Sequence, residues 1–180
     1  MMMTLADSPL ALLGDRVTQR PQPGELGVVA ARAGVGKSAC LVQLALSELL
    51  LERAVLHVAL DLPVSDVRGW YDRLLEEAGR RDWVDASDAT RVQLERIRHI
   101  HSYLQQGFTA ERLTDALDLM AEVMDFQPQT VVIDGFPFEL ARHDTVEALK
   151  TVAKEHGVRL WLTALTHRHE PPDEATGLPK

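Results

Sequence analysis

The stretch VVAARAGVGKSA, residues 28–39, decides how this chain folds. A strand-length apolar run, Leu26–Ala31, enters a turn built on Gly34 and Gly36, and from Lys37 the sequence becomes a long apolar segment that reads as a helix. The switch from strand to turn to helix within so few residues is the signature of a βα unit. The spacing nearly spells G-x-x-x-x-G-K-[ST], with Ala31 in place of the first glycine.

That pattern carries chemistry because successive backbone N–H groups can wrap a phosphate at a helix N-terminus, where unsatisfied amides and the helix dipole favour negative charge. Gly34 and Gly36 supply the backbone freedom of the turn. Lys37 would reach β- and γ-phosphates, and the Ser38 hydroxyl would serve Mg²⁺. The candidate nucleotide-binding residues are therefore Ala33, Gly34, Val35, Gly36, Lys37, Ser38 and Ala39. The bland alternative is a glycine turn before a helix with an accidental lysine, and the full G-K-S ending in a strand-to-helix setting weighs against it.

Working outward, RAVLHVALD predicts a second strand ending at Asp61. Ser65 is placed to cap a helix whose Val67, Trp70, Tyr71, Leu74, Leu75 and Ala78 recur at helical spacing. Residues 80–96 are polar and fit a short helix or an excursion. RIRHIHSYL reads as a third strand, and from Thr109 a helix follows with Leu113, Ala116, Leu117, Met120 and Met124 as its stripe and Pro128 beyond its end. TVVIDGF is a fourth strand, apolar up to Asp134; a helix over 145–156 stops at Gly157, and VRLWLTALTHR gives a fifth strand. Strands alternating with helices, with runs apolar on both faces, predict an α/β domain with a mainly parallel sheet covered on both sides. The expected layout is a lead-in over 1–23, one domain over 24–168 and a loose tail over 169–180.

A carboxylate closing a buried strand is the second requirement of a nucleotide site, since it holds the metal, and Asp134 stands in that position. Strand ends are often aspartate, so Asp134 gains weight only with the loop. Hydrolysis needs a third group for the attacking water. Many ATPases place a glutamate directly after the metal aspartate, but here Gly135 follows. Asp61, at a strand carboxyl end where ligands of open α/β sheets gather, is the candidate, with helix capping as the equal alternative.

With 180 residues, 46% hydrophobic and 26% charged, the chain suits one domain with a real core. Nineteen basic against 27 acidic residues give a net charge of −8, which argues against broad electrostatic binding of nucleic acid or anionic membrane, a local basic groove being the alternative. The single cysteine, Cys40, forms no internal disulfide, and no basic-then-apolar leader opens the chain, so the expected location is the cytoplasm. The longest apolar run is too short and too interrupted for a membrane span.

These residues resemble the RecA-like P-loop ATPases, most closely the core of DnaB-type replicative helicases and the KaiC-like group, over about residues 24–168. In that helicase pattern the loop often starts Ala-Arg, as AARAGVGKS does here. The resemblance implies ATP and Mg²⁺ as ligands. It maps the catalytic glutamate of VALDLPVSD onto Asp61, a shorter carboxylate; the metal aspartate of TVVIDGFPF onto Asp134; and the γ-phosphate-sensing strand end of LTALTHR onto Thr166 and His167. Family members carry further strands with an arginine finger, so the chain is either a truncated piece or a minimal core, and turnover would require self-association as a homo-oligomer. Arg142 and Arg168 are the nameable cations for a neighbouring subunit, and an unknown protein partner is the other expected contact.

His99 with His101, and His167 with His169, lie two apart on a strand face; solvated histidines are the expected reading, metal binding the alternative. Cys40 reads as a small core residue whose helix-start position could lower its pKa. Phe136, Phe138, Trp70 and Tyr71 read as packing residues, the two phenylalanines with the added options of stacking on a base or meeting a partner. Three functions compete: an ATPase with mechanical or regulatory output, a non-hydrolysing nucleotide-dependent interaction module, and a small-molecule kinase, which the absence of an arginine-rich lid disfavours.

Overall fold

Two strands in this protein are buried from end to end. VLHVAL (β2, Val55–Leu60) and TVVID (β4, Thr130–Asp134) expose no residue, as expected of central strands covered on both faces. The computed structural model describes residues 21–138 and 143–165. Around the two central strands lie β1 (Leu26–Ala31), β3 (Arg98–Tyr103) and β5 (Arg159–Leu165), in the order β1-β5-β4-β2-β3. Every pairing is parallel.

Parallel strands need crossover connections, and helices provide them. They are α1 (Lys37–Leu50), α2 (Val64–Arg80), α3 (Asp88–Arg96), α4 (Ala110–Met124) and α5 (His143–Glu155). Side chains alternate along each strand, so the sheet has two cores. Leu56, Val58, Leu60, Val131, Ile133, Leu160 and Leu162 face α4 and α5. Val55, Ala59 and Val132 face α1, α2 and α3. The α/β class, the five strands and the parallel sheet match the sequence reading. No helix among the described residues is long and apolar enough to cross a membrane.

Local differences have local causes. Pro63, at φ −71° and ψ 147°, caps α2, so the helix begins at Val64 and Ser65 lies inside the first turn, where its hydroxyl donates to Asp66. Residues 80–96, ambiguous in sequence, contain α3, capped by Ser87, whose Oγ accepts from the Thr90 N–H at 3.4 Å. Leu94 is its one buried residue, too little apolar signal to betray a helix in the sequence. In α4, Leu113, Leu117 and Met120 are buried, while Met124 in the last turn is 48% exposed. The second strand ends at Leu60, one residue short of Asp61.

Candidate functional site

All five strands run the same way, so the 32–36 loop after β1, Asp61 after β2, the 104–107 turn after β3 and Gly135 after β4 emerge at one edge of the sheet, the carboxyl edge. In open α/β sheets this edge gathers ligands. The two loop glycines are both left-handed, Gly34 at φ 76° and Gly36 at φ 92°, which a side chain would oppose. Gly36 is also the N-cap of α1. It supplies no side-chain acceptor, and no acidic residue stands in the first turn, so the helix start presents its amides without an internal counter-charge. Ala33, Gly34 and Val35 are exposed, as is Ala39, and Ser38 is half-buried. Lys37 folds back over the loop, its Nζ donating to the Arg32 carbonyl at 3.0 Å.

Asp134 closes β4 almost out of contact with water, 2% exposed. The register sets Ile133 beside Leu162, which brings the next residue of β5, Thr163, against it. The Thr163 hydroxyl donates to Asp134 Oδ1 at 3.1 Å and accepts from the Gly135 N–H at 2.9 Å. Asp134 Oδ2 is buried with no hydrogen-bond partner among the described residues. An unpartnered carboxylate oxygen in that setting carries a full desolvation penalty, which a cation would offset. The donor set suits Mg²⁺, which takes one or two protein oxygens and fills its remaining positions from water and phosphate. Ser38 and Asp134 are the residues that could hold it.

Gly135 stands at φ 81°, and a Cβ there would meet the Leu60 carbonyl oxygen at 3.1 Å. A side chain at the position where other nucleotide sites carry a glutamate would thus be strained by the backbone and crowd that carbonyl. Asp61 is itself left-handed, at φ 58°, and exposed. Its N–H donates to the Tyr103 carbonyl, and its Oδ1 accepts from the Gln105 N–H at 2.9 Å. The carboxylate therefore caps the short turn Gln105–Gly107, rather than the helix that follows it in sequence.

A cleft of ≈ 310 Å³ opens at this edge, walled by Lys37, Gln105, Gly135, Thr163 and, on its apolar side, Phe136 and Phe138. The phenylalanine rings meet edge to face, 4.8 Å between centroids, and both touch the α4–α5 core, so packing and cleft wall are one role. Asp61 lines a different hollow, with Leu62, Pro63, Ser102, Tyr103 and Leu104. Between the two hollows stands Gln105, whose Nε2 donates to the Gly135 carbonyl at 2.9 Å. Sequence reasoning missed Gln105 and Thr163. A polar residue at an inward position of an otherwise apolar strand was the available signal for Thr163; for Gln105, following the strand RIRHIHSYL, there was none.

The other candidates resolve as follows. His99 rests on the Phe126 ring at 4.3 Å, and burial favours the neutral form of both His99 and His101. No group of three or more His, Cys, Asp or Glu side chains is gathered for a metal among the described residues. Burial pushes the Cys40 thiol up, opposite to the lowering that its helix-start position suggested. Tyr71 is buried and accepts or donates at His57 Nδ1, 3.0 Å away. Arg142, Thr166, His167, Arg168 and His169 lie outside the described residues. No family model matches the chain, and no curated protein matches it either.

Proposed function

We propose that this chain is an ATP-binding protein of the RecA-like P-loop type that hydrolyses MgATP, with a mechanical or regulatory output. The observation that carries the reading is the pairing, at one sheet edge, of a glycine loop ending in Lys37 and Ser38 with the unpartnered buried oxygen of Asp134. A loop with open amides and a lysine suits a polyphosphate; a buried carboxylate oxygen lacking a partner suits the cation that accompanies it. When bound, Mg²⁺ would offset the charge developing on the transferred phosphoryl group.

The chain's own residues divide the remaining work. The amides of Gly34, Val35, Gly36 and Lys37 receive phosphate oxygens. Lys37 Nζ exchanges the Arg32 carbonyl for phosphate, gaining a charge-assisted bond in place of a neutral one. Thr163 holds Asp134 in place through Oδ1 and leaves Oδ2 for the metal.

The position of Asp61 outside the cleft favours a second reading, in which nucleotide orders a surface for a protein partner without hydrolysis. Titrating a fluorescent ATP analogue with Mg²⁺ present, alongside phosphate-release kinetics over a range of protein concentrations, tests both. Lys37→Ala is expected to weaken binding by about 10- to 100-fold, the worth of one charge-assisted hydrogen bond. Equal binding by the variant would sink the assignment of the site. Tight binding with no phosphate release at any concentration would select the non-hydrolysing reading.

A further inference from the structure

The sheet edge leaves Asp61, the sequence candidate for the hydrolytic water, outside the cleft and puts Gln105 inside it. Gln105 is tied at two points. Its backbone N–H donates to Asp61 Oδ1 at 2.9 Å, and its side-chain Nε2 donates to the Gly135 carbonyl at 2.9 Å. A carbonyl only accepts, so the amide's orientation is fixed by its partner: nitrogen on Gly135, oxygen elsewhere. Gln105 Oε1 takes no hydrogen bond among the described residues, and the side chain walls the same cleft as Lys37 and Thr163. The anchor is also well placed. Gly135 directly follows Asp134, so the amide is held by the very turn that carries the candidate metal carboxylate.

We propose that Gln105 is the water-orienting residue of this cleft, and that Asp61 is a positioning residue acting through it; this rests on the nucleotide reading above. Oε1 accepts a hydrogen bond from the attacking water and aims its lone pair at the γ-phosphorus. The water oxygen forms the new O–P bond, the bond from the γ-phosphorus to the β,γ-bridging oxygen breaks with its electron pair leaving on ADP, and the water's proton passes to the inorganic phosphate. A neutral amide suffices because phosphoryl transfer asks for positioning more than for proton abstraction. Asp61 supports the amide by fixing the Gln105 backbone from below. That task requires an acceptor oxygen at position 61, not a base.

The requirement for an acceptor rather than a base sets the test. MgATP affinity and kcat are measured for wild type, Gln105→Ala, Gln105→Met, Asp61→Asn and Asp61→Ala, with thermal melts confirming that each is folded. Both Gln105 variants are expected to lose about 100-fold in kcat while holding nucleotide affinity within about threefold, the methionine keeping the stem without the amide. Asp61→Asn keeps an acceptor oxygen and tolerates the left-handed backbone, so its loss is a few-fold, whereas Asp61→Ala loses about tenfold, and little more once Gln105 is already replaced. Gln105 variants that turn over like wild type overturn the proposal and leave the nucleotide reading standing. So does an Asp61→Asn loss as deep as that of Asp61→Ala, which makes Asp61 the base. Absence of MgATP binding or turnover by the wild type overturns the nucleotide or hydrolysis reading itself, and this proposal with it.

Discussion

His57 shows how far a single buried polar residue can shape this protein's response to acid. It sits in the middle of β2, fully buried, its Nδ1 on the Tyr71 hydroxyl and its Nε2 without a partner. Burial, with the nearby Arg98 cation adding to it, holds the imidazole neutral down to about 3. The unfolded chain would bind a proton near 6.5, so the unfolded state takes up protons that the folded state refuses. Stability from His57 is therefore complete above about pH 6.5 and drains away as pH falls from there toward 3, by up to about 1.4 kcal/mol per pH unit for one proton. Urea denaturation of wild type and His57→Gln at pH 7.5 and pH 5 checks this. The wild type is expected to lose more on acidification than the variant; parallel losses would mean that His57 does not set the acid limb. The same scale holds Gly135, where backbone handedness and the close Leu60 carbonyl both disfavour the glutamate that a motif-based search would look for.

Among the elements, the helix starts differ in how their first amides are closed. α3 and α4 are capped by side chains, Ser87 and Thr109, the latter accepting from the Arg112 N–H at 3.3 Å. α1 has no such cap. A helix that closes its own amides gains stability, and one that leaves them open keeps a place for an anion. Thr109→Ala is expected to cost about 1 kcal/mol, seen as a lower urea midpoint with unchanged slope. Nucleotide affinity should not move, since α4 packs on the face of the sheet away from α1. A change in affinity as large as that of Lys37→Ala would show that the caps are not divided in this way.

At the scale of the molecule, a ligand that binds only the folded chain stabilises all of it. MgATP at 100 times its dissociation constant should raise the unfolding free energy by about 2.7 kcal/mol, read as an upward shift in melting temperature. Asp134→Asn sharpens the expectation. Without metal the variant should be at least as stable as wild type, because a neutral amide replaces a buried anionic oxygen that lacks a partner. With Mg²⁺ and ATP it should gain much less. A variant destabilised without metal and stabilised normally with it would place the metal elsewhere.

The sequence by itself determined the alternation of strands and helices, the parallel sheet, and the glycine loop that leads into α1, because each is a local pattern: a change of hydrophobic period, two glycines and a lysine at fixed spacing. It also marked Asp134 and Asp61, charges at the ends of apolar strands. What it did not contain is the strand order, which puts β5 between β1 and β4 and so sets Thr163 against Asp134. Nor did it contain the partition of the carboxyl edge into two hollows, with Asp61 in one and Gln105 in the other. Gln105 and Gly135 are 30 residues apart, and Asp61 and Gln105 are 44 apart. Contacts across such separations leave no periodicity in the chain; they exist only once the sheet has paired, and there the tertiary structure alone decides which polar group faces the cleft.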